Sequence, residues 1–256
     1  MNWTDTHCHL ADEKIIQNFE DNVTRSFAAG VTKIINVAYN LKTTDLVLEQ
    51  CQKYPTQLFP TLGIQPHDAF EYHVDLDALL KNKMEKNPQI IAIGEIGLDH
   101  YYTTSSMEKQ IECFEYFLNL ALQFKKPVIV HVRNTHKEVL VRLQNYAKKG
   151  GTGVIHCFSG TKEEAIDFMD LNFYISYSGI VTFKNAAVVQ ESAKITPSNL
   201  LLIETDSPYL APMPMRGKVN EPSYLIHTAN FVAQLKNIPK EDLCVILENN
   251  FRKLFL

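Results

Sequence analysis

His7 and His9 lie two residues apart in Asp5-Thr6-His7-Cys8-His9, at the end of a short apolar run near the N-terminus. In an extended strand, side chains two apart point to one face with Cα atoms ~6.7 Å apart, so both imidazoles can meet one metal ion. A lone His-x-His is a weak signal. Four further residues of metal-ligand type, Glu95, His131, His156 and Asp206, stand at the ends of later apolar runs. Buried together without a counter-ion, such groups would cost several kcal/mol per charge, so the set predicts a metal centre.

A metal centre suits hydrolysis, because a bound divalent cation lowers the pKa of water so that a nucleophile exists near neutral pH. Asp206 could take the proton of that water as general base. Histidine ligands must be neutral and carboxylates ionised, so activity is expected to fall in acid. Four imidazoles favour manganese, iron, cobalt, nickel or zinc over magnesium on ligand softness, with magnesium or manganese expected to sustain turnover at higher concentration. No Ser-His-Asp order, P-loop or dinucleotide fingerprint competes.

Eight apolar runs alternate with helix-period segments: 2–5, 33–37, 58–63, 90–94, 128–131, 153–156, 173–178 and 200–205. Between the fourth and fifth, Ile111, Phe114, Phe117, Leu118, Ala121 and Leu122 recur at three- and four-residue spacing and predict a helix over 105–125. This repetition predicts one (β/α)₈ barrel of the TIM type over residues 1–256. The six candidate ligands then all fall at C-terminal strand ends, the rim that carries active sites in such barrels. The proline-rich segment Ser207 to Asn220 should overhang that rim and brings Arg216 and Lys218 with it. Asn220 reads as a helix cap before Pro222, and the segment from Ile238 to Leu256 as a helix with a packed tail.

The 256 residues are 45% hydrophobic and carry a net charge of −4 with both signs interspersed, so no basic arm for non-specific duplex binding is present. Five scattered cysteines without a Cys-x-x-Cys pair fit reduced thiols, and Cys8 and Cys157 read as small apolar residues facing away from the site. Without a leader pattern or a long apolar span, the expected location is cytoplasmic, with no membrane partner and no obligate protein partner.

Eight blocks in order carry a resemblance: DTHCHL at 5–10, GEIGLDHYY at 94–102, PVIVHVR at 127–133, HCFSG at 156–160, SYSGIVTFKNA at 176–186, ETDSPYLAP at 204–212, RGKVNEP at 216–222 and NFRKLF at 250–255. Together they resemble the TatD family of metal-dependent deoxyribonucleases, (β/α)₈-barrel hydrolases of the wider amidohydrolase-like group. The resemblance implies that His7 and His9 bind one metal, Glu95 bridges to a second, His131 and His156 complete the second position, and Asp206 ligates the first and positions the attacking water. It also implies that Arg133, Arg216 and Lys218 lie near substrate. The implied activity is that of a deoxyribonuclease with DNA as partner, expected to act as a 3′–5′ exonuclease on single strands. Where the family commonly has histidine in its GxHPH block, this chain has Gln65 ahead of His67; Gln65 can donate a hydrogen bond to phosphate but carries no charge. Val132, where a small polar residue is usual, is a lesser departure.

His67 and His100 follow rim-facing runs and can line the pocket, whereas His73, His136 and His227 read as structural. Lys184 could approach a phosphate from the seventh loop, and Tyr101, Tyr102 and Tyr209 could stack on a base. The alternative function is an amidohydrolase-type hydrolase of a small amide or ester, aminoacyl-tRNA esters included. Many such enzymes bridge their metals with a modified lysine at the end of strand four, where this chain has Glu95.

Overall fold

The computed structural model describes residues 1–102 and 104–256. Eight strands run in parallel in sequence order: β1 (Trp3–Cys8), β2 (Val31–Asn36), β3 (Leu58–Leu62), β4 (Ala92–Asp99), β5 (Val128–Arg133), β6 (Gly153–Ile155), β7 (Tyr174–Tyr177) and β8 (Leu201–Ile203). The intervening helices are α1 (Phe19–Ala28), α2 (Leu41–Lys53), α3 (Asp77–Lys86), α4 (Met107–Phe124), α5 (His136–Lys148), α6 (Lys162–Met169), α7 (Ala187–Ile195) and α8 (Leu225–Lys236), with α9 (Lys240–Phe255) closing the chain. The sheet curls into a nearly closed barrel. Its last seam is a parallel bridge of Cys8 with Ser207, where the His9 amide donates to Ser207 O at 2.8 Å and the Asp206 amide to His7 O at 2.9 Å.

Strand alternation divides the apolar residues between two layers. Ile34, Ile93, Val130, Ile155, Ile175 and Leu201 face the surrounding helices in the larger core. Ile35, Ile129, Val154, Tyr174 and Leu202 fill the barrel, where Phe251, Leu254 and Phe255 of α9 join them. Because parallel strands are buried on both faces, they read in the sequence as continuous apolar runs, which is why their number and order were legible there.

Two local expectations change. The run at 90–94 marks only the start of a strand that continues to Asp99, with a register shift between Ile93 and Ile96 where it pairs with β5. Asn220 does not cap a helix: its amide donates to Thr205 O at 2.8 Å and Tyr209 O at 2.6 Å, pinning the proline-rich segment to the end of β8. Among the described residues, no helix is long and apolar enough to cross a membrane.

Candidate metal centre

The six sequence-selected side chains converge at the C-terminal mouth. His7 stands on β1 with His9 just after it, Glu95 on β4, His131 on β5, His156 one residue past β6 and Asp206 beyond β8. The sharp turns that aim the last of these are local. Asp206 adopts a left-handed conformation (φ 58°), as aspartate does more readily than most residues. Cys157, after His156, is also left-handed (φ 45°), so the chain there is not extended, and its thiol sits 3.1 Å from the Ser178 hydroxyl. Cys8 is fully buried, as expected.

Glu95 divides the set in two. Its Oε2 lies 3.5 Å from His7 Nε2 and 3.4 Å from His9 Nε2, while Asp206 Oδ1 is 3.8 and 3.6 Å from the same nitrogens. Its Oε1 lies 3.0 Å from His131 Nδ1 and 3.2 Å from His156 Nε2. The inward atoms of His7, His9 and Glu95 form one cluster within 4.8 Å and those of Glu95, His131 and His156 a second; His7, His156 and Asp206 meet within the same distance across the two, as do His67, Asp99 and His131 behind the second. The rings of His7 and His156 stack between them at 3.9 Å.

The outward nitrogens decide what these rings offer. His9 Nδ1 sits 3.0 Å from Val37 O, His156 Nδ1 3.3 Å from Glu204 Oε1, and His131 Nε2 2.9 Å from Asp99 Oδ2. Each partner is an acceptor only, so each outward nitrogen carries the proton and each inward one a lone pair. Three lone pairs thus aim at two carboxylates, and buried His7 Nδ1 has no partner among the described residues. Electron-rich groups facing one another fit divalent cations, and this donor set suits them.

Charge coupling agrees. Burial alone would raise the Glu95 carboxyl, but His156, His131 and His7 hold it well below its ordinary value. Burial disfavours the charged form of His156, His131 and His9 too, yet nearby carboxylates raise all three; His7, desolvated and facing His156, is lowered. In the metal-free protein the carboxylates therefore favour a second proton on His156, His131 and His9, which a cation would replace.

Residues behind the cluster escaped the sequence reading. Asp5 accepts from the Thr205 amide at 2.9 Å and hydroxyl at 2.5 Å, sewing β1 to β8 behind His7; burial pushes its carboxyl up to about 7 against those bonds. Glu204 orients His156 and also accepts from the Cys157 amide at 2.7 Å. Asp99 orients His131. Asp99 and Glu204 sit inside recognisable motifs, GLDHYY and ETDSPYLAP respectively, but only tertiary contacts reveal which ring each one faces.

The expected substrate residues are less gathered. Arg133 is exposed, with Cζ 4.0 Å from the Tyr101 ring centroid and 5.1 Å from that of Tyr102, and no carboxylate pairs with it among the described residues. His67 Nε2 lies 2.9 Å from Asp99 Oδ2, facing that carboxylate. The Gln65 amide donates to Asp68 at 3.0 Å, and Arg216 lies over the Phe183 ring at 4.6 Å. Lys218, Lys184, His100 and His73 are exposed, whereas His136 approaches Asp167 at 3.3 Å from the start of α5. Tyr209 reaches Asp12 at 2.8 Å, its ring 6.5 Å from that of His9.

Comparison with known proteins covers the whole length. Residues 4–256 match the family model described as TatD related DNase. The uncharacterized metal-dependent hydrolase YabD of Bacillus subtilis is 36% identical over 251 residues, 98% of each chain. The uncharacterized metal-dependent hydrolase YcfH of Escherichia coli K12 is also 36% identical, over 98% of this chain and 94% of its own. The solved structure of the TatD homolog YJJV from E. coli K12 superposes with a TM-score of 0.92 at 29% identity, covering 99% of this chain and 97% of that one. A hydrolase of the TatD family from Entamoeba histolytica shares the fold with a TM-score of 0.90 at 22% identity.

Proposed function

The chain belongs to the TatD-related DNase family of metal-dependent hydrolases, and from that premise we propose that it hydrolyses phosphodiester bonds of DNA, releasing nucleotides from the 3′ ends of single strands. The proposal extends to the whole 1–256 span acting as one catalytic unit in the cytoplasm, with DNA as its substrate partner. The observation that carries it is the split of Glu95, one carboxylate oxygen toward His7 and His9 and the other toward His131 and His156. One carboxylate serving two sets of imidazoles supports two adjacent cation positions, the arrangement suited to a phosphodiester.

Two divalent cations held there would supply positive charge to the phosphoryl oxygens and acidify the attacking water. In this reading His7, His9 and Asp206 would hold one cation, His131 and His156 the other, and Glu95 would serve both. Asp206, held below its ordinary value because His9 and His7 outweigh the effect of burial, stays ionised and can accept the proton of the nucleophile. Arg133, lacking a carboxylate partner among the described residues, is available to a phosphate, and Arg216 and Lys218 offer further positive charge at the rim, where His67 could also contact substrate. Gln65, engaged by Asp68, would reach a phosphate only by giving up that bond.

The test is incubation of the metal-loaded protein with end-labelled single-stranded DNA, with and without chelator. Nucleotide release that the chelator abolishes is expected. No action on DNA, together with turnover of a small amide or an aminoacyl ester, would instead support an amidohydrolase-type activity.

A further inference from the structure

Behind His131 lies Asp99, a fully buried carboxylate at the end of β4 that stands outside the two clusters built on Glu95 and groups instead with His67 and His131 within 4.8 Å. Its two oxygens are divided between two tasks. Oδ2 accepts from His131 Nε2 and His67 Nε2, each at 2.9 Å. Oδ1 accepts from the amides of Tyr101 at 2.6 Å and Tyr102 at 2.9 Å, which fixes the turn carrying the two tyrosines beneath Arg133. The backbone is held as firmly: Gln110 accepts from the Asp99 amide at 2.8 Å and donates to its carbonyl at 3.1 Å. Gly97 permits this approach of β4 to β5, because a Cβ there would lie 2.1 Å from His131 O.

We propose that Asp99 is a positioning residue that makes His131 coordinate through Nδ1, unlike His7, His9 and His156, which present Nε2. The carboxylate can only accept from His131, so it fixes the proton on Nε2 and leaves the Nδ1 lone pair toward Glu95. An oxygen acceptor behind a ligating histidine sets both tautomer and ring angle, and its loss typically weakens metal affinity ~10–100-fold. With its other oxygen, Asp99 ties that ligand to the Tyr101–Tyr102 turn, so the second cation position and the Arg133 surface share one support. The inference rests on reading Glu95, His131 and His156 as a cation site, and is independent of what the substrate is.

The variant Asp99→Asn keeps the shape and can keep an oxygen toward the tyrosine amides, but then turns an NH₂ donor toward His131. That donor asks for a lone pair at Nε2 and drives the ring proton to Nδ1, the atom facing the cation. Calorimetric titration with Zn²⁺ is expected to resolve two positions in the wild type, with Asp99→Asn weakening one by ~10–100-fold and leaving the other within about twofold. Equal affinities in variant and wild type would overturn the proposal. Nitrogen-15 NMR of the zinc-loaded wild type reads the ring directly and does not depend on the variant folding: a proton on His131 Nε2 with zinc at Nδ1 is expected, and coordination through Nε2 overturns it. Neither measurement contains nucleic acid, so a failure of the DNA reading leaves both informative, while failure of the wild type to bind zinc would show first and would remove the cation site itself.

Discussion

The two ends of the barrel are built on opposite principles. At one end Phe251, Leu254 and Phe255 of α9 plug the interior, with Phe251 fully buried and 5.3 Å from the Phe59 ring. At the other, four histidines and two carboxylates converge, with Asp5, Asp99 and Glu204 behind them. Aromatic packing at the first end stabilises the fold with no condition attached. The second end concentrates groups whose desolvation opposes folding and which are satisfied only by protons or cations. Function and stability are thus separable along one axis of the molecule.

That separation is tested most severely at Glu95. Glu95→Ala removes the carboxylate shared by both clusters and should lower activity on DNA by on the order of 10³-fold, with loss of bound metal and an intact barrel by circular dichroism. Retained turnover would remove Glu95 from the mechanism. The opposite end should respond in the opposite way. Phe251→Ala is expected to cost about 3–5 kcal/mol in denaturant unfolding, while the folded fraction keeps its turnover. A matching loss of turnover per folded molecule would mean that the two ends are not independent.

Proton linkage sharpens the contrast. In the metal-free protein His156, His131 and His9 are raised, so their contribution is full below the ordinary value of 6.5 and is lost as pH rises through their folded values. Glu95 and Asp206 are depressed, so theirs is present above the ordinary values of 4.5 and 3.8 and is lost as pH falls. His7, lowered, opposes the other three rings on the acid side, and Asp5, raised from 3.8 to about 7, opposes Glu95 and Asp206 as pH rises through that range. Metal-free protein should therefore be most stable between about pH 4.5 and 6.5 in thermal melts. Saturating zinc should move that optimum upward, because the metal competes with protons, and an optimum unmoved by zinc would contradict the linkage. The smallest effect is expected at Gln65→His, which replaces a side chain held by Asp68. Turnover on DNA should change by less than ~3-fold, within the range of substitutions that touch no critical contact. A larger change would bring position 65 into the substrate site.

The same contrast explains what could be read from the chain alone. Barrel strands announce themselves because burial on both faces makes them apolar runs, and the six inward side chains because their types are unusual at strand ends. The full length of β4 is hidden in the sequence because Gly94, Glu95 and Gly97 interrupt its apolar run, yet glycine is what lets it lie against β5. Asp99, Glu204 and Asp5 are ordinary acids in the sequence; each gains its meaning from a partner 32, 48 or 200 residues away. Asn220 reads by type as a helix cap, whereas two backbone carbonyls in the folded chain claim its amide; that the Gln65 amide donates to Asp68 is likewise invisible before folding.

The central claim is that one carboxylate joins two cation positions at the mouth of the barrel. Anomalous scattering from crystals of the manganese-loaded protein tests it most directly. Two peaks are predicted, one among His7, His9, Asp206 and Glu95 Oε2, the other among Glu95 Oε1, His131 Nδ1 and His156 Nε2; peaks elsewhere, or none at this mouth, would contradict it.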